Sequence, residues 1–420
     1  MRKFRTHFQP TLHLLTIVIV TFFTTSALAE RILYTFQGGS DGAEPLANFI
    51  SDQAGNLYGV TGNGGMQCDV SQLGCGTVFQ LTPPAHKGGK WTKTTLHIFT
   101  GNGSDGSYPA PPRLIIDQAG NLYGTTTTGG TTNSGTIYQL TPPAKPHHAW
   151  KEKVLYSFKA GSDGLVPGGL VLGSDGSYFG VTTYGGDTEG DGTVFQFAKN
   201  ANGAWKETVI YRFQNSTDGS APSSFQTLAV DKKGNLFGTT LVGTVFELSP
   251  PAKKGGHWKE STLNDNVGFG IYAGLVLDKA GNLYGANLNG GQDSAGFVFQ
   301  LSPHNGAWTT ATIYWTTATI YMFTGAADGR YPYATPILDG KGNLYGTTYS
   351  FGPGDQAGLV FKLTPPQKGG NWTETVLYSF QGGTDGASPY GGLFEKAGTL
   401  YGTTAFGGTA NKGTVFVLHQ

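Results

Sequence analysis

An aromatic residue followed by glycine, in the phrase NLYGTT at 121–126 and 343–348, recurs along the whole chain. Its glycine falls at Gly59, Gly124, Gly180, Gly238, Gly285, Gly346 and Gly402, with spacings of 65, 56, 58, 47, 61 and 56 residues. Self-similarity at this period marks solenoids, propellers and arrays, whose units are too small to bury their own apolar surface alone.

The second copy shows what is repeated. RLIID (113–117) is a short apolar run, QAGN a turn, and LYGTT the phrase itself. A glycine-rich loop, TTGGTTNSG (127–135), leads to TIYQL (136–140), and TPPAKPHHA separates that run from WKEKVLYSF (150–158). Each run is rich in β-branched and aromatic residues and is bounded by Gly, Pro or Asn. The pattern predicts a four-stranded antiparallel meander. Glycine fills 67 of 420 positions, too many for long helices and without the period of collagen, so it reads as turn chemistry. Tyr123 and Tyr138 have aromatic counterparts in every unit, from Tyr58 and Phe79 to Tyr401 and Phe416. Rings on both faces of a small sheet need a sheet on each side, and radial packing supplies them while shielding the edges.

The two ends of the chain complete the pattern. Six units finish with a strand introduced by tryptophan: Trp91, Trp150, Trp205, Trp258, Trp308 or Trp315, and Trp372. The seventh stops at GTVFVLHQ, yet RILYTF (31–36) matches KVLYSF (153–158) and TVLYSF (375–380). The expected fold is all-β: a seven-bladed β-propeller over residues 30–420, made of four-stranded antiparallel blades and closed by the N-terminal strand completing the last blade. In the fifth unit, WTTATIYWTTATIY (308–321) is a seven-residue duplication. Side chains alternate along a strand, so a shift of seven swaps faces and only one copy can be the outer strand. The other is expected to bulge or loop out.

Residues 1–29 differ in character. Arg2, Lys3 and Arg5 precede an apolar core from Leu12 to Phe23 and the small-residue site Ala27-Leu28-Ala29. This predicts a secretory signal peptide with a mature start at Glu30, and the core falls short of the ~20 residues of a membrane span. Its removal takes three basic residues and no acidic one, leaving 24 Lys+Arg against 27 Asp+Glu. That balance offers neither a nucleic-acid footprint nor a basic membrane-binding face. Cys68 and Cys75, close together in an exported chain, predict a loop disulfide rather than a metal pair. The expected location is extracellular, periplasmic or in the cell envelope.

The set SDG..P (40–45 and 104–109), GNLYGTT…GG…GTVFQL and TPP resembles the GloVer tandem-repeat family of exported bacterial "choice-of-anchor" repeat proteins, over essentially the whole chain after the signal. The resemblance implies a secreted, propeller-like architecture and brings no established activity or catalytic residue. The chain ends within a repeat strand, so no C-terminal anchor of the family's kind is expected.

Antiparallel connectivity puts the 1–2 and 3–4 turns on one face, and the 2–3 loops and blade-to-blade crossings on the other. Asp41, Asp105, Asp163, Asp218, Asp328 and Asp385 occupy equivalent crossings. Such a ring could hold calcium, a sugar or a basic partner, or each carboxylate could cap its own turn before a glycine of positive φ. Repetition in nearly every unit favours the structural role. Asp117 and its counterparts in D..GN read as hairpin residues.

Asymmetry is the better guide to a site. Unit 4 reads GTTLVGTVF (238–246) and lacks the usual 2–3 loop; unit 5 opens NDNVGFGIYAG (264–274) and lacks the Asp-Gly crossing. A groove is expected there, lined by Asn264, Asp265, Phe269 and Tyr272. No zinc-protease, serine-elbow, Walker or Rossmann pattern occurs, and glutamate is too scarce to pick out a glycosidase pair. No catalytic residue, metal or cofactor is assigned. The expectation is a monomeric module that binds an extracellular glycan or an exported protein. The rivals are a polysaccharide hydrolase or lyase on the same scaffold and a structural envelope protein. Arg31, Arg113, Arg212 and Arg330 are the only arginines after the signal, which counts against a clamp for acidic sugars.

Overall fold

The aromatic–glycine phrase lies in the second strand of every sheet, as LYG in five blades, YFG in blade 3 and LFG in blade 4. The computed structural model describes residues 30–419 apart from 47, 66–67, 69–71, 87, 111–112, 146–147, 187–189, 215–217, 254, 292, 304–314, 351–356 and 368. In the second blade, the inner pieces Gly106–Pro109 and Ile115–Ile116 pair with Leu122–Gly129. That strand pairs with Thr136–Thr141, which pairs with the outer strand Lys151–Ser157, all antiparallel. Seven such sheets follow one another around an axis. The seventh combines Phe394–Lys396, Thr399–Thr404 and Thr414–His419 with the N-terminal strand Glu30–Thr35. Arg31 lies opposite Val417 and Thr35 opposite Thr414, so the first strand closes the ring as the sequence predicts.

The core sits between blades rather than within them. Among the described residues there are seven apolar clusters, one at each interface. Adjacent residues of a strand point to opposite interfaces: Leu122 belongs to the cluster between blades 1 and 2, Tyr123 to that between blades 2 and 3. The glycine that follows makes room for a ring of the third strand. A Cβ on Gly124 would lie 2.5 Å from the Tyr138 hydroxyl, and one on Gly180 2.5 Å from Cζ of Phe195.

The threonines of LYGTT have separate duties. The first ties one blade to the next: Thr125 Oγ1 donates to the Gly168 carbonyl at 2.8 Å, and Thr239 Oγ1 to that of Ala273 at 3.0 Å. The second pairs with a third-strand threonine of its own blade, as in Thr126–Thr136, Thr182–Thr193 and Thr404–Thr414, each at 2.8 Å.

The outer strand of blade 5 is Trp315–Met322, with Pro303 opposite Trp315, so the second copy of the duplication serves as the strand. The first copy, 308–314, and the signal segment 1–29 lie outside the described residues. Cys68 and Cys75 are joined in a disulfide in the long 2–3 loop of blade 1. No helix among the described residues is long and apolar enough to cross a membrane.

Candidate functional site

The crossing aspartates are engaged by neighbouring groups. A register shift interrupts the pairing of the two outermost strands in every blade, next to the tyrosine of the YSF-type motif or its equivalent. Such a bulge re-aims a side chain. Tyr34, Tyr156, Tyr211, Tyr321 and Tyr378 each donate a hydroxyl hydrogen bond to the aspartate seven residues on: Asp41, Asp163, Asp218, Asp328 and Asp385. Backbone N–H groups of Gln37, Lys159, Gln214, Thr324 and Gln381 donate to the same carboxylates. At Asp105, His97 stands in the tyrosine's place, 3.3 Å away. Burial of Asp105 raises its pKa, but the His97 contact and the donors of Thr100 outweigh this and leave it below the usual value.

A further acidic group flanks most of these positions. Burial first, and the charge of the nearby crossing aspartate second, push Glu152 and Glu374 up to about 7. Glu30 and Glu207 reach about 7 through burial and the same like-charge effect, despite a tyrosine hydrogen bond that opposes it. At the closing seam Lys93 takes the equivalent position. Its Nζ lies 2.9 Å from Asp41, and its side chain is only 2% exposed.

The axis itself is built by the segments leaving the crossings. Each begins with a residue in left-handed backbone, at φ between 52° and 62° for Glu44, Tyr108, Val166, Ala221, Tyr331 and Ser388. Such backbone is costly for non-glycine residues and persists where its surroundings fix it. Here each of these N–H groups donates to a carbonyl of the preceding blade, for example Tyr331 to Ala295 at 2.8 Å and Ser388 to Ala357 at 2.8 Å. A proline follows every one, and the next residues run past the axis. In blade 5, Gly270 at φ 94° and Ile271 replace this pair.

The residue after that proline or isoleucine is aromatic in three successive blades: Tyr272, Tyr333 and Tyr390. Phe225 joins them from the longer segment of blade 4. Tyr272 stacks on Tyr333 with centroids 4.9 Å apart and planes at 23°. Tyr333 lies 4.1 Å from Tyr390, Phe225 packs edge-on to Tyr333 at 5.4 Å, and Tyr349 packs edge-on to Tyr390 at 5.3 Å. Tyr333 is buried, whereas Phe225, Tyr272, Tyr349 and Tyr390 are half-buried. Burial pushes both the Tyr333 and Tyr390 phenols above their ordinary pKa. Both therefore stay neutral and able to hydrogen-bond at ordinary pH.

Two residues further along each segment, and so on the same side of the chain, lie Thr227, Gly274, Thr335 and Gly392. Asn48 and Arg113 hold the matching positions in blades 1 and 2, where their backbones form a bridge. This second layer is tight. Gly274 N donates to Thr335 Oγ1 at 2.7 Å, and a Cβ on Gly274 would come within 2.7 Å of the Thr227 carbonyl.

The predicted groove residues are distributed as follows. Tyr272 is in the axial aromatic cluster. Phe269, between Gly268 and Gly270, is 73% exposed on the crossing face. Asp265 is exposed, and Asn264 Oδ1 accepts a hydrogen bond from Asn266 N at 2.8 Å. The shortened loop of blade 4 and the altered crossing of blade 5 pack on each other, with Val267 N donating to the Gly243 carbonyl at 3.0 Å and Gly270 N to that of Leu241 at 3.0 Å. Sequence reasoning missed Phe225, Tyr333, Tyr349 and Tyr390. The recurrence of YPY, PYGG and IYAG just beyond the crossings was a usable signal.

Seven repeated four-stranded blades define a tandem-repeat β-propeller. The description of the matching family is "Gloeobacter/Verrucomicrobia repeat", with matches over residues 19–158, 65–254, 153–319 and 242–420, and the chain belongs to that family. No curated protein matches the sequence. Among solved structures, it is similar to the extracellular domain of a protein described as the hybrid two component system BT3049 from B. thetaiotaomicron, with TM-score 0.52 and 13% identity. That match covers 93% of this chain but only 41% of the other. A protein described as a 6-phosphogluconolactonase from Bacteroides uniformis gives TM-score 0.51 and 14% identity, over 83% of this chain and 88% of that one. At these identities the likeness concerns the fold alone.

Proposed function

We propose that the protein is an exported glycan-binding module whose ligand docks at the axial mouth on the crossing face. The supporting observation is the convergence of Phe225, Tyr272, Tyr333 and Tyr390 from four consecutive blades. A pyranose ring presents a flat face of C–H bonds that suits the electron-rich face of an aromatic ring, and its hydroxyls suit neutral tyrosines. The site follows the general form of a ligand pocket, apolar with a few placed polar groups. Phe269, Asn264 and Asp265 form its rim in this reading and serve longer chains. Export accords with the signal-like segment and with a disulfide, a bond that persists in oxidising compartments.

A glycan array with the protein lacking residues 1–29, read for binding and for released reducing ends, tests the proposal. Tyr333→Ala and Tyr390→Ala are expected to weaken binding by about tenfold or more, with Phe269→Ala affecting only longer glycans. Glycan binding unchanged in both tyrosine variants would rule the axial site out. Accumulation of reducing ends would replace the binding module by the enzyme reading.

A further inference from the structure

Arg113 is set apart from the other arginines. Arg31 donates to the Gly89 carbonyl at 2.9 Å, and Arg212 to those of Gly186 and Ser162 at 2.8 and 3.2 Å. Arg330 lies over the Tyr331 ring at 4.6 Å. The Arg113 side chain has no hydrogen bond, ion pair or ring partner among the described residues. It sits on the innermost strand of blade 2, beside Asn48 of blade 1. The next residue, Leu114, is 4% exposed and packs between blades 1 and 2, where a Cβ on Gly124 would meet its Cδ2 at 3.0 Å. Alternation turns Arg113 the other way, toward the channel. Its side chain is accessible to solvent, yet desolvation lowers its pKa, as happens on a concave surface.

In a ring of seven blades, blade 2 stands across the axis from blades 5 and 6, which supply Tyr272 and Tyr333. Around the axis, blades 4 to 7 thus contribute aromatic rings and blade 2 contributes the guanidinium, one layer further along the inner segments. Asp117 and Asp52 form no ion pair with it. The Asp117 carboxylate accepts from Ala119 N, Asn121 N, Asn121 Nδ2 and the Tyr123 hydroxyl, and that of Asp52 from Asn56 and Tyr58. At the opposite mouth a cavity of about 970 Å³ is lined by Asp52, Asp117 and Lys396 among others. A partly desolvated charge without a counter-ion is unfavourable until something pairs with it.

We propose that the axial site selects acidic saccharides, with a sugar ring against Tyr272, Tyr333 and Tyr390 and its carboxylate held by Arg113. The assignment rests on the glycan-binding reading and names its ligand class. A guanidinium suits a carboxylate because its fork of N–H donors matches the two oxygens. The scarcity of arginine, which on sequence alone weighed against an acidic sugar, matters less than where the single unpaired one stands.

Calorimetric titration with a uronate tetrasaccharide and its carboxyl-reduced neutral counterpart provides the test. The wild-type protein is expected to prefer the uronate by about tenfold, and added salt to erode that preference. Arg113→Gln should bind both probes equally and retain the wild-type affinity for the neutral one. Arg113→Lys should keep part of the preference, and it carries the test if the glutamine variant unfolds. Tyr333→Ala should weaken both probes together. Equal affinity of the wild-type protein for the two probes, no binding of either, or a preference surviving in Arg113→Gln overturns the proposal. Neutral binding lost in Tyr333→Ala but no acid preference in the wild type would leave the glycan-binding reading standing and remove only the acidic ligand.

Discussion

At Gly180 the absence of one methyl group decides how the second and third strands lie together. A Cβ there would meet Cζ of Phe195 at 2.5 Å and Cε1 at 2.9 Å, and that ring is fully buried between blades. The glycine has no left-handed backbone to defend, so its role is purely one of space. Gly180→Ala should therefore destabilise through overpacking, by about 1–3 kcal/mol. The expected reading is a lower denaturant midpoint at an unchanged m-value; an unaltered midpoint would mean that the Phe195 ring moves aside freely. A close approach at this glycine was legible in the sequence, because glycine interrupting a strand signals one. Which ring approaches was not, since that depends on the register Gly180↔Phe195. The tyrosine partners of the crossing aspartates were hidden in a regular spacing of seven residues, readable only once the bulge beside them is known.

Along the outer strands, the interfaces between blades carry an electrostatic pattern with a consequence for stability. Glu30, Glu152, Glu207 and Glu374 have pKa values raised from 4.5 to about 7 by burial and by the adjacent aspartates. Between these values the folded protein holds protons that the unfolded chain has released, so stability declines as pH rises through about 7. Asp105, Asp117 and Asp339 are lowered instead, and their contribution is lost only under more acidic conditions. The melting temperature should thus be higher at about pH 5.5 than at about pH 8. Replacing all four glutamates by glutamine should flatten that slope. A profile that rises toward pH 8 would refute the account. The seam differs because Lys93, not glutamate, faces Asp41 there. The crossing that leaves the closing strand is therefore spared the like-charge pairing found at its equivalents, while Glu30 of that strand keeps such a pairing with Asp385.

For the whole molecule, closure is the decisive event. Phe36 is fully buried and Ile32, Leu33 and Tyr34 pack into the interfaces flanking the last blade, so the first strand contributes to both sides of that blade. Deleting residues 30–36 should lower the melting temperature by on the order of 10 °C, and a synthetic RILYTF peptide added in excess should restore part of it by mass action. A truncated protein that melts like the full chain would show that three strands suffice for the seventh blade.

Blade number, strand content and the closing strand are local properties repeated seven times, and period-two patterning with turn residues specifies each of them. The sequence by itself therefore determined the propeller and the disulfide. The axial aromatic cluster and the unpaired Arg113 come from residues up to 277 positions apart, between Arg113 and Tyr390. Only ring closure brings them around one channel. Loop lengths suggested an opening between blades 4 and 5, but in three dimensions those two segments fill each other's gap. What faces the axis was decided by the tertiary structure, because each inner segment is pinned by a carbonyl of the preceding blade.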